Sequence, residues 1–117
     1  MIVGIGTDIV EVARLERALG RSARLRSRIF TEDEAALPIA SLAGRFAAKE
    51  AVAKALGSPG DLSWRDVEVR TDEHGKPDLN VTGACARRAA ALGVTNWHIS
   101  ISHDGGMATA FVIAESL

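Results

Sequence analysis

The stretch GRFAAKEAVAKALG, Gly44 to Gly57, constrains this chain more than any other. At about 100° per residue, Ala47, Ala48, Ala51, Val52, Ala55 and Leu56 share one broad apolar arc. Ser41 stands where an N-cap is expected, and Gly57, with Pro59 just beyond, marks the end. An arc made of such small side chains buries little apolar area at ordinary distance, so whatever covers it must come close. The opening run MIVGIGTDIVEV supplies such a surface. It reads as a strand over about residues 2–11, with Gly4, Gly6 and Asp8 on one face.

Around these two elements the spacing predicts a helix from Val12 to about Leu19, with Leu15 and Leu19 inward and Gly20 as its stop. Thr31 and Glu34 have capping-box spacing, so a short helix should start there and end before Pro38. RDVEVRTD and DLNV, joined by EHGKP, read as a hairpin. Thr82 and Gly93 bracket an alanine-rich helix, and NWHISIS and ATAFVIAE form a second hairpin about a DGG turn. The pattern predicts an α+β fold, a small single domain over residues 1–117 with helices packed on antiparallel sheet. With three Phe, two Trp and no Tyr in 117 residues, its core must be small and aliphatic, and subunit association would help it.

A net charge of −1 argues against a general nucleic-acid binder. One cysteine, Cys85, excludes an internal disulfide, and no signal peptide or membrane span is evident, so the cytoplasm is the expected location.

On the central helix Glu50 and Lys54 are neighbours outside the apolar arc. Alone they read as a solvated i,i+4 pair worth about 0.2–0.5 kcal/mol. Asp8 changes that reading, because its strand face must pack near this helix. Two carboxylates about 4 Å apart repel by roughly 4 kcal/mol at an effective dielectric near 20, so a partly buried pair needs a proton or cation between them. Mg²⁺ suits two carboxylates completed by water and phosphate oxygens, and Lys54 would then point at the phosphate. In HISISH, His98, Ser100 and Ser102 face one way while Ile99, Ile101 and His103 face the other, so the histidines do not chelate one metal. His103 ends its strand, where a side chain reaches a cleft. Arg14, Arg17, Arg21 and Arg24, with Arg26 and Arg28 behind, form a basic stripe if one helix carries them; it is either a solvated face or a docking face for an acidic partner.

GIGTDIVEVARLE, FTEDE, GRFAAKEAVAKALG, GKP and HISISH, in this order and over almost the whole chain, resemble holo-[acyl-carrier-protein] synthase, the short bacterial class of 4′-phosphopantetheinyl transferases. The resemblance implies transfer of phosphopantetheine from coenzyme A to a serine of apo acyl carrier protein, releasing adenosine 3′,5′-bisphosphate, in fatty acid biosynthesis. It implies Asp8 and Glu50 as Mg²⁺ ligands, and Lys54 and His103 as phosphate contacts. Arg45, Gly57, Pro77, Ile101 and Asp104 are implied along the coenzyme A site, and Arg14, Arg21 and Arg24 on the carrier protein. A homotrimer with active sites between subunits is implied as well. For the base, Glu50 acting through a metal-bound water is the expectation. The chain departs from the family between Glu34 and Gly44, where AALPIASLA replaces a longer polar loop whose basic side chain meets the coenzyme A 3′-phosphate. Two other readings compete. A metal-dependent phosphodiesterase lacks stacking aromatics for nucleic acid, and a non-catalytic trimeric domain binding an acidic partner leaves Asp8, Glu50, Lys54 and His103 unexplained.

Overall fold

The computed structural model describes residues 1–117. Strand β1 (Ile2–Glu11) leads into helices α1 (Val12–Arg21), α2 (Ala23–Ile29) and α3 (Glu32–Ala35), then the long α4 (Ile39–Ala55). A 3-10 turn at Trp64–Asp66 precedes β2 (Val67–Thr71) and β3 (Pro77–Val81), and α5 (Gly83–Ala91) precedes β4 (Asn96–Asp104) and β5 (Met107–Glu115). The sheet order β1-β5-β4 is antiparallel throughout, and β2-β3 is a separate antiparallel hairpin.

Helix α4 lies across the inner face of the sheet at unusually short range. A Cβ on Gly6 would sit 1.7 Å from the Ala51 carbonyl oxygen, and one on Gly4 would sit 1.9 Å from that of Ala55. Backbone meets backbone there, so only glycine fits. The alanines of α4 fill the remaining space with Val67, Val69, Cys85, Ala89 and the inward residues Ala110, Val112 and Ala114 of β5. A second cluster joins Leu15 and Leu19 of α1 to Ile29, Phe30, Leu42, Ala43 and Ala108. Burial pushes the Cys85 thiol up to about 11, which leaves it an inert packing group.

Three boundaries differ from expectation. Helix α4 begins at Ile39 with Pro38 at its N-cap, and Ser41 lies inside its first turn. The fixed φ of proline starts the helix where a side-chain cap was expected, and Leu42 N–H donates to the Pro38 carbonyl. Helix α1 passes through Gly20 to Arg21, since nothing packs against that position to demand a stop. The break comes at the extended Ser22, so the arginine stripe is not one helix face: Arg14, Arg17 and Arg21 lie on α1, and Arg24, Arg26 and Arg28 on α2. Arg17 pairs with Glu11 at 3.5 Å, and Arg26 donates to the Ala35 carbonyl at 3.0 Å.

The outer face of the sheet has no cover within the chain. Ile5, Ile9 and Phe111 stand exposed there, with Ile5 paired to Ile113 and Thr7 to Phe111 in the register of β1 and β5.

Candidate active site

The alternation of β1 turns Asp8 inward beside Gly6, and the tight approach of α4 brings the helix's polar edge to it. Lys54 Nζ donates to Asp8 Oδ1 at 3.1 Å and to the Thr7 carbonyl at 2.9 Å. The Asp8 side chain is mostly sheltered at 19% exposure, whereas Lys54 is half exposed at 49%. Glu50, one turn before Lys54, accepts a 2.7 Å hydrogen bond from the Trp64 indole N–H. Asp8 and Glu50 line the same open cleft of about 620 Å³, walled by Val10, Leu15, Phe46 and Trp64, with Arg14 at its rim. Glu50 and Lys54 also border a smaller cleft of about 270 Å³ with Ser58 and Pro59. The acidic pair and the lysine therefore form one place, open to solvent and bounded by apolar wall.

No group of three or more His, Cys, Asp or Glu side chains gathers in the chain. Two carboxylates in one open cleft are the donor set a hard divalent cation takes when water and substrate phosphate supply the rest, so these residues fit Mg²⁺.

His103 is not with them. Its Nε2 lies 2.9 Å from the Ala40 carbonyl, and a Cβ on Gly44 would meet both His103 and Ile101 within 3 Å. Gly44 is ten residues before Lys54, so His103 sits about 15 Å along α4 from the lysine. Asp104 continues from His103 around the β4–β5 turn. Arg45 follows Gly44, and its Nε is buried without a hydrogen-bond partner. Pro77 opens on a separate cleft of about 540 Å³ with Asp72, Lys76 and His98. Gly57 closes α4 at φ +87, near the Lys54 end. Within one chain Asp8, Glu50, Lys54 and Gly57 thus lie toward one end of α4 and Arg45, Ile101, His103 and Asp104 toward the other, with Pro77 apart from both.

Two participants escaped the sequence reading. Trp64 carried no signal, because its contact with Glu50 depends on where the 3-10 turn lands. Lys49 did carry one: on the helical wheel it falls about 20° from Leu56, at the edge of the apolar arc. It is buried and donates to Glu34 at 2.7 Å, to the Trp64 carbonyl at 3.2 Å and to the Val67 carbonyl. Burial lowers its pKa, opposed by the bond to Glu34. Glu34 closes the α3 capping box, as its spacing with Thr31 predicted, and also accepts from Val69 N–H at 2.9 Å. Next to it the Thr31 hydroxyl and Arg70 hold the Glu68 carboxyl below the usual range.

A helix laid across antiparallel sheet, with two carboxylates lining one open cleft and a lysine tied to one of them, is an arrangement that metal-assisted phosphoryl transfer could use. Residues 4–112 match the model of the 4′-phosphopantetheinyl transferase superfamily. A holo-[acyl-carrier-protein] synthase of Kocuria rhizophila is 58% identical over 116 residues, covering 99% of this chain and 94% of that protein. The Neisseria meningitidis holo-[acyl-carrier-protein] synthase structure superposes with a TM-score of 0.88 at 37% identity, covering 99% of this chain and 100% of that one. The Helicobacter pylori enzyme, in complex with coenzyme A, gives 0.84 at 31% identity, covering 95% and 99%. The chain belongs to the holo-[acyl-carrier-protein] synthase family of 4′-phosphopantetheinyl transferases.

Proposed function

We propose that this chain, as one transferase domain over residues 1–117, moves 4′-phosphopantetheine from coenzyme A to a serine of apo acyl carrier protein in the cytoplasm, with Mg²⁺. Membership of the family supports the reaction, and the meeting of Asp8 and Glu50 at one cleft, with Lys54 bonded to Asp8, carries the reading. The serine oxygen bonds to the pantetheine-side phosphorus, the bond from that phosphorus to the bridging oxygen breaks, and the electron pair leaves with adenosine 3′,5′-bisphosphate. Bound between Asp8 and Glu50, Mg²⁺ would neutralise charge on the diphosphate. Lys54, half exposed and tethered to Asp8, presents its ammonium to a diphosphate oxygen, and the serine proton passes through a water to Glu50.

The two groups at opposite ends of α4 become one site when Asp8, Glu50, Lys54 and Gly57 of one subunit meet Arg45, Ile101, His103 and Asp104 of a neighbour. Pro77 would line coenzyme A from its own cleft. A phosphate at Arg45 would satisfy its buried Nε. The uncovered Ile5, Ile9 and Phe111 face supplies the contact for a homotrimer. Phe111→Glu is expected to shift the sedimenting mass from three chains to one and to lower transfer at least about a hundredfold by separating the two halves. An unchanged trimer would place the interface elsewhere.

Arg14 beside the apolar cleft and Arg21 at the end of α1, with Arg24 beyond the Ser22 bend, form the face for the acidic carrier protein. Arg14→Ala is expected to raise the carrier KM about fivefold at low salt, with the difference shrinking above 0.15 M and the coenzyme A KM unmoved. Equal carrier KM at all salt concentrations would remove Arg14 from the docking face. The reaction itself is tested by weighing apo carrier protein after incubation with enzyme, coenzyme A and Mg²⁺. A phosphopantetheine-sized gain is expected, and an unchanged mass refutes the assignment.

A further inference from the structure

Adjacent residues of α4 grip opposite ends of Trp64: Lys49 holds its carbonyl at 3.2 Å, and Glu50 accepts from its indole N–H at 2.7 Å. We infer that Trp64 is a positioning residue that fixes the Glu50 carboxylate for cation binding. The inference rests on the transferase reading above.

Glu50 is a flexible side chain on the rim of an open cleft, and ordering such a chain costs up to about 1.5–2 kcal/mol. The indole bond is its single hydrogen bond, made at Oε1, and nothing in the chain engages Oε2. A donor that can only donate, fixed in direction by a rigid ring, orients a carboxylate without competing for a cation. The ring in turn is braced. It tilts against Phe46 with centroids 5.9 Å apart, and its backbone hangs from Lys49, whose own ammonium is locked by Glu34 and the Val67 carbonyl. Order thus passes from a buried ion pair, through the 3-10 turn, to the oxygen that faces the cleft.

Trp64→Phe keeps the ring and deletes the donor. The Mg²⁺ concentration for half-maximal transfer is expected to rise about tenfold, with kcat largely recovered at saturating Mg²⁺. A folded variant with unmoved half-saturation overturns the inference while leaving transfer intact. A second measurement leaves Trp64 in place: in a Trp97→Phe background it is the sole tryptophan, and its emission should change when Mg²⁺ is added with coenzyme A. The response should vanish in Glu50→Gln. Emission indifferent to Mg²⁺, or a response that survives Glu50→Gln, also overturns it. A wild-type chain unable to modify the carrier would instead refute the transferase reading, and the emission measurement would still decide whether Trp64 reports a cation at Glu50.

Discussion

Asp8→Ala and Glu50→Ala are each expected to reduce phosphopantetheine transfer by about a thousandfold or more, roughly 4 kcal/mol of transition-state stabilisation, with melting temperatures near wild type. The separation of activity from folding follows from the surroundings of the two groups. The Asp8 carboxylate bonds only to a half-exposed lysine and that of Glu50 only to a partly exposed tryptophan, so neither charge is tied to the core. Deleting Asp8 frees the Lys54 ammonium to water at little cost. Asp8→Asn sharpens the test, since it keeps the size and the Lys54 contact and removes only the charge. If Asp8→Asn retained more than a tenth of wild-type turnover at saturating Mg²⁺, charge at that position would not be what the reaction needs.

That this pair could share a cleft was legible in the sequence, because the packing that brings it together is written in small residues. Glycines at positions 4 and 6 fix which face of β1 turns inward, and small residues on α4 permit close approach, so Asp8 could reach the polar edge of that helix. The hairpins were legible for the same kind of reason, from alternation and turn residues. Longer-range dependence was not. Whether the arginines share one helix turned on an extended Ser22, and the separation of His103 from Lys54 followed from Gly44 admitting β4 near the opposite end of α4. The glycine was read as part of a helix motif, and its role as a socket for His103 needs the third dimension.

Lys49 is the residue whose loss should cost the fold most. Its side chain is fully enclosed and Glu34 is 2% exposed. Removing one partner of such a pair leaves the other charge buried alone, a loss of about 3–5 kcal/mol. For a chain of this size that is a fall in Tm of about 12–20 °C. The two single variants should differ in pH dependence. In Lys49→Met the Glu34 carboxylate is left buried without its countercharge, a penalty that loss of a lysine proton can no longer relieve. In Glu34→Gln the ammonium, already lowered by burial, drops further. Its penalty is full below the folded pKa and eases as pH rises through it toward the unfolded value. Glutamine keeps one acceptor oxygen, for either the Val69 or the Thr31 N–H but not both, yet the double variant leaves no buried charge, so it should be more stable than either single and nearly flat with pH. Thermal melts of the three variants between pH 5 and 9 read this directly. Parallel pH profiles for the two singles, or a double variant whose losses simply add, would mean that the pair is not held by its mutual charge. Because Lys49 also carries the Trp64 carbonyl, its neutral replacement should loosen the support of Glu50 as well, linking the stability of this buried pair to the cleft.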